Sequence, residues 1–191
     1  MSATMPAREE WLDEWLRETL SRLPEQGKAE IINGVIVLMP PTGFLPGRAS
    51  SQIFRSLKGY EEAKGSGYAI PDNIGMLVSL PHRHSFSPDA SWHLGPPTGA
   101  KFLTGAPAFA AEVRSEDDYG LRAEQNMAEK RADYFAAGTQ VVWDVDVLRD
   151  ETISVYRLDT PETPTIFHRG ETADAEPAVP DWRFAVEELF R

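Results

Sequence analysis

The sequence predicts one mixed α/β (α+β) domain, a mixed β-sheet flanked by helices. Three observations carry that expectation. The chain has 191 residues, the size of a single domain, with no internal repeat and no low-complexity linker to divide it, so residues 1–191 are taken as one unit. Apolar residues make up 41% of it, enough for a sizeable core. Segments with helical periodicity alternate with short β-rich runs separated by Gly and Pro.

Taken in order, residues 6–23 read as an amphipathic helix packed on the domain. Trp11, Leu12, Trp15, Leu16 and Leu20 share one face, and Glu9 and Glu10 suit the helix dipole near its start. Residues 28–39 read as a hairpin, because two β-rich runs flank Asn33-Gly34, a pair that accepts positive φ at both turn positions. Pro40, Pro41 and Gly43 then break the chain. Residues 48–64 are helical in pattern, with Ile53, Leu57 and Tyr60 on one side and Gly65 and Gly67 after the end. Short strands are expected at 76–80 and 86–92, and Pro88 assigns the second to a sheet edge or a strand start. Residues 107–113 read as a buried strand with Glu112 near its far end. After a polar loop at 115–120, residues 121–137 form a strong helical pattern that ends at Gly138, with Leu121, Ala128, Ala132 and Phe135 as its packing face. Strands follow at 139–147, 152–156 and 165–167. A Pro-, Ala- and acid-rich tail at 171–180 leads to a closing segment, 182–190, expected to dock on the body.

Composition removes several functional classes. Nineteen Lys and Arg face 30 Asp and Glu, a net charge of -11, so bulk attraction to nucleic acid is excluded. A phosphate-bearing substrate would need a metal ion or a local basic patch, for which Arg48, Arg55, Lys58 and Lys64 are the candidates. The absence of cysteine excludes disulfides, thiolate metal sites and Cys nucleophiles. Four scattered His residues argue against a His cage. Ser50-Ser51 lacks the Gly-x-Ser-x-Gly context of a serine hydrolase. No apolar run approaches the ~20 residues of a membrane span and no signal-peptide pattern opens the chain, so a soluble cytoplasmic protein without a membrane partner is expected.

Against this background Asp89, Glu112 and Lys130 stand out. Glu112 ends an otherwise apolar strand. Either that end is wet, or the carboxylate needs a cation. Asp89 follows Pro88, a common turn dipeptide, yet two carboxylates converging from adjacent strands would make a hard-oxygen site suited to Mg²⁺. Lys130, about 40° around its helix from Tyr134, can lie at the surface beside Glu129 and Asp133 or carry its ammonium along the core to a cleft. His82-Arg83-His84 reads as a solvated loop, and Asp144 and Asp146 as exposed residues of one strand face with Trp143 opposite.

In order, Glu30-Ile-Ile-Asn33-Gly34, Met39-Pro40-Pro41, Pro88-Asp89, Glu112-Val113-Arg114-Ser115, Lys130-Arg-Ala-Asp-Tyr134 and Val142-Trp143-Asp-Val-Asp146 resemble the Uma-type restriction endonuclease family of the PD-(D/E)XK nuclease superfamily. The resemblance implies a restriction-endonuclease-like fold with the Asp89 and Glu112 strands adjacent at its centre. It implies an endonuclease that hydrolyses phosphodiester bonds of nucleic acid with Mg²⁺, for which Mn²⁺ can substitute. Asp89 and Glu112 would bind the metal, Glu30 would complete the acidic cluster, and Lys130 would be the catalytic lysine. In the wider superfamily that lysine lies two residues after the glutamate, where this chain has Arg114. Arg114 and Tyr134 are therefore expected to support the site or touch substrate. The resemblance also implies a homodimer. The chain departs from the family's pattern at Asn33, often Asp, and in lacking a His early in the helix after the Pro-Pro, where it reads Phe44-Leu-Pro46-Gly47-Arg48. The missing His and the acidic surface keep a second reading open, a non-catalytic binding or regulatory module on the same fold.

Overall fold

The computed structural model describes Glu18 and residues 28–191. The helix expected over 6–23 thus falls, apart from Glu18, outside the described residues. Strands β1 (Ala29–Ile32) and β2 (Val35–Leu38) form the expected hairpin. Asn33 and Gly34 take φ of 52° and 70°, the left-handed pair that the tight turn requires. Helix α1 (Phe44–Lys64) begins earlier than 48, with Pro46 in its first turn, where a missing amide hydrogen breaks no helical bond. It ends where Gly65 turns left-handed and donates its amide to Glu61.

Strands β3 (Tyr68–Pro71), β4 (Met76–Leu77), β5 (Ser85–Phe86), β6 (Ala90–His93), β7 (Leu103–Thr104) and β8 (Phe109–Val113) follow. The strand expected at 86–92 is therefore two strands, split at Ser87-Pro88-Asp89. Proline lacks the ladder hydrogen that an unbroken strand needs. Helix α2 (Leu121–Ala136) leads to β9 (Val141–Asp146), β10 (Thr152–Arg157) and β11 (Thr160–His168). The expected tail at 171–180 is instead part of a ribbon of β12 (Thr172–Ala175) and β13 (Val179–Ala185), which a 3-10 turn at Val186–Phe190 closes.

Six strands make the central sheet, in the order β11-β10-β9-β8-β6-β3. Only β8 and β9 are parallel within it, joined through α2. Pro88 therefore precedes an interior strand. Alternation along the strands sorts the side chains between two faces. Phe109, Ala111 and Val113 of β8 join Trp143 and Val145 of β9 in the larger core, under Ile53 and Leu57 of α1. Trp182 of β13 stacks on Trp143 with ring centroids 5.1 Å apart, so the closing segment does dock on the body. Ala110 and Val142 point the other way, to Tyr134 and Phe135 of α2 and Phe86 of β5. The packing face of α2 differs from the expected one. Leu121 is 80% exposed, whereas Tyr134 and Phe135 are buried, and Ala123, Met127, Lys130 and Arg131 are half-buried. The inward stripe includes Lys130 itself. No helix among the described residues is long and apolar enough to cross a membrane.

Candidate active site

The alternation that puts Ala111 and Val113 in the larger core turns Glu112 toward α2. Its partner in the parallel register is Asp144 of β9, and Ala90 pairs with Ala111. Continuing the antiparallel registers by one residue sets Asp89 beside Glu112, and Asp72 beside Asp89 because Pro71 pairs with Ala90. Four carboxylates, Asp72, Asp89, Glu112 and Asp144, thus lie in a row across four neighbouring strands.

Each member of the row has a cation. Lys28, just before β1, donates to Asp89 Oδ1 and reaches Asp72 Oδ1 at 2.9 Å. Lys130 donates to Glu112 Oε2 at 2.8 Å and lies 3.1 Å from Glu30 Oε1. Arg114 grips Asp144 through Nε and Nη2 at 2.7 and 2.8 Å and Glu124 through Nη1 at 2.5 Å. Hydrogen bonds complete the set. Asp89 Oδ2 accepts from the Val113 amide at 2.7 Å, and Tyr134 donates its hydroxyl to Glu112 Oε1 at 2.6 Å.

Behind the row lies a second, buried set of charges. Glu30, fully buried, accepts from Arg83 Nη1 at 2.5 Å and from the Ser87 amide at 3.0 Å. Arg83 continues through Nε to Asp133 Oδ2 at 2.6 Å, and the His82 ring lies 2.7 Å from Asp133 Oδ1. These contacts correct two expectations. Arg83 is 5% exposed, so its loop carries a buried ion pair rather than solvated charge. Asp144 and Asp146, 4% and 6% exposed, are buried and bonded. Asp146 accepts from Tyr119 and from the Leu148 and Arg149 amides.

The electrostatics follow from burial against neighbouring charge. Burial pulls the Lys28 and Lys130 ammonium groups toward neutrality, but their carboxylate neighbours outweigh it and hold both above the ordinary lysine value. Burial also opposes ionisation of Glu112, yet Lys130 and Lys28 prevail and keep it below the usual carboxylate range. Asp89 goes the other way. Burial, with Glu112 adding to it, raises its pKa despite Lys28. Burial beside Glu112 pushes Tyr134 well up, so its hydroxyl stays a donor.

Lys28, Asp72, Asp89, Glu112, Lys130 and Tyr134 all line one cleft of about 940 Å³, as do Leu38 and Pro40. The structure thus brings Asp89, Glu112, Lys130 and Tyr134 together. Glu30 reaches this group through Lys130 and does not line the cleft, and the Arg114 guanidinium is taken up by Asp144 and Glu124. Among the described residues no three His, Asp or Glu side chains form a group that could hold a metal ion. Mg²⁺ does not require one, since it is commonly bound by one or two carboxylates plus waters and substrate phosphate. Asp89 and Glu112 supply such hard oxygens, and the Lys28 ammonium already rests against Asp89 as a stand-in cation whose charge is also felt by Glu112, so the residues fit the metal.

Sequence patterns single out neither Lys28 nor Asp72, and leave Arg83 in a solvated loop and Asp133 as a surface neighbour of Lys130. Lys28 does carry one signal, since two positions before Glu30 is the same face of a strand. Arg83 gave no local signal, because its partners Glu30 and Asp133 lie 53 and 50 residues away.

The family model described as "Uma2: Putative restriction endonuclease" matches residues 17–187. Among solved structures, a putative nuclease belonging to DUF820 from Anabaena variabilis ATCC 29413 is similar with a TM-score of 0.72 and 19% identity, over 94% of this chain and 96% of that one. It bears out the mixed sheet flanked by helices. No curated protein matches the chain.

Proposed function

The chain belongs to the Uma2 family, described as putative restriction endonucleases, and from that premise we propose that it is a metal-dependent endonuclease hydrolysing phosphodiester bonds of nucleic acid. Asp89 and Glu112 would hold Mg²⁺, with Mn²⁺ as a substitute. When bound, the metal supplies a Lewis acid for phosphoryl oxygens and acidifies a water molecule. The chain's own residues do the rest. Lys130 presents a fixed ammonium to the cleft, placed to meet the negative charge that grows on the phosphoryl oxygens. Glu30 acts through Lys130 as a positioning residue, held in turn by Arg83 and the Ser87 amide. Tyr134 fixes the rotamer of Glu112 by donating to it.

The observation that carries this reading is the meeting of Asp89, Glu112 and Lys130 in one cleft. The test is incubation with single- and double-stranded DNA and with RNA in Mg²⁺, Mn²⁺ or chelator. Cleavage is expected with either metal and should vanish in chelator and in Asp89→Ala. Intact substrates under every condition with the wild-type chain would overturn the reading in favour of a binding module. The same reading includes a homodimer, supported by apolar side chains left open on β2, where Val35 and Leu38 are 59% and 50% exposed. Sedimentation at the monomer mass of 21.3 kDa would overturn that part.

A further inference from the structure

Lys28 lies on the same carboxylates that would receive a metal. Its side chain is 14% exposed, and its ammonium bridges Asp89 and Asp72. Glu112 adds to the negative field around it. The two partners differ in one respect that matters. Asp89 is next to Glu112 in the row, whereas Asp72 is one strand further out, after the edge strand β3. An ammonium and a divalent cation cannot share Asp89 without strong repulsion at such short range. The lysine stem is flexible, and Asp72 gives its head a second anchor at 2.9 Å that needs no contact with Asp89.

We propose that Lys28 is a resident counter-ion of the acidic row, one that a divalent cation displaces from Asp89 onto Asp72. This inference rests on the metal reading given above. The lysine keeps the row neutralised while metal is absent, which lets two adjacent carboxylates remain buried. Metal binding is then an exchange of one cation for another. The carboxylate pair binds Mn²⁺ less tightly with Lys28 present than without it, and Asp72 tempers that cost by accepting the displaced ammonium.

Mn²⁺ titrations at one fixed pH, followed by calorimetry or by the spin resonance of free Mn²⁺, read this without any cleavage. The set is the wild-type chain, Lys28→Met, Lys28→Gln, Asp72→Asn and the double variant Lys28→Met/Asp72→Asn. Lys28→Met should tighten Mn²⁺ binding by roughly tenfold, within the usual range of coupling between two sites. Lys28→Gln should tighten it in the same direction, and it decides the matter if thermal melting in chelator shows Lys28→Met to be unfolded. Asp72→Asn should weaken binding more in the wild-type background than in Lys28→Met, the non-additivity expected of groups that act on each other. Saturable binding with the same or a weaker affinity in the Lys28 variants would overturn the inference alone. Equal effects of Asp72→Asn in both backgrounds would remove Asp72 from it. No saturable binding by any of the five proteins would overturn the metal reading, and this inference with it.

Discussion

Lys130 and Arg114 show how little the identity of a side chain says without its neighbours. Both are cations beside the same strand end, yet Lys130 turns to Glu112 and Glu30 while Arg114 is spent on Asp144 and Glu124. Lys130→Ala should cut turnover by two orders of magnitude or more, about 3 kcal/mol, the scale of losing one preorganised donor. Lys130→Arg should not restore it, because a planar fork does not fill the place of a compact ammonium. Arg114→Ala should leave turnover nearly unchanged and lower the melting temperature, since buried Asp144 loses its main partner. Cleavage lost in Arg114→Ala and kept in Lys130→Ala would place the catalytic cation at the end of β8 instead of on α2. Asp146 offers a residue-level test by pH. Burial opposes its charge, but the Tyr119 hydroxyl and the Leu148 and Arg149 amides hold its pKa below the usual aspartate value. A depressed folded pKa adds stability that is complete above the unfolded value and disappears as pH falls through the folded one. Denaturation of wild type and Asp146→Asn should therefore differ most near neutrality, with the gap shrinking below about pH 4, where an unfolded Asp titrates.

At the level of elements, the hairpin, the buried strand and the second helix were legible because each has a local cause. Asn33-Gly34 dictates a tight turn, the apolar run before Glu112 dictates burial, and Gly138, at φ 102°, marks the end of α2. The inward stripe of α2 was not legible, because charged Lys130 and Arg131 occupy it and the apolar Leu121 does not. A stripe of that kind makes sense only when the carboxylates opposite it are known. The ribbon of β12 and β13 hid for a different reason, since its Pro, Ala and acidic composition resembles a loop while its buried Ala173, Ala175 and Val179 point into the core. Arg83 is the bolt between elements. It ties Glu30 of β1 to Asp133 of α2, with its own side chain 6% exposed. Arg83→Met should destabilise the protein by roughly 3–5 kcal/mol, the cost of leaving buried carboxylates without their cation. Denaturant titration checks this, and a change under 1 kcal/mol, about the worth of an exposed ion pair, would contradict it.

On the scale of the whole molecule, the proposed function requires an excess of acid to coexist with a polyanionic substrate. The basic patch seen in the sequence shrinks once folded, because Lys58 pairs with Glu61 and Lys64 with Asp181. Arg48 and Arg55 remain, both exposed and lining one groove on α1. Nucleic-acid affinity should accordingly be modest and weakly dependent on salt. Each of Arg48→Ala and Arg55→Ala should lower the slope of log K against log salt by about 0.9 if it holds one duplex phosphate. Unchanged slopes in both variants would move the contact elsewhere. The long edge strand β11 stays mostly exposed but carries Pro161, Glu162 and Pro164, which blunt it against pairing with another chain.

Among the described residues, the hairpin beside the cleft is fastened to the body mainly through β1. Its backbone meets the loop after β4 through the Asn33 amide on His82, the His84 amide on Ile31 and the Ile31 amide on Ser85 Oγ, the Ile31 side chain is buried beside Phe102, and Lys28 and Glu30 add ion pairs and the bond from the Ser87 amide. A two-stranded piece outside the six-stranded sheet is expected to open as a local unit, at less free energy than that sheet. Whenever it lifts, Lys28 and Glu30 leave together, so Asp89 and Lys130 lose partners in a single event. Native-state hydrogen exchange would register this as a shared, low protection of the β1 and β2 amides, well below that of β8 and β9. The lifetime of the charged cleft is then the closed lifetime of four hairpin residues on either side of one Asn-Gly turn.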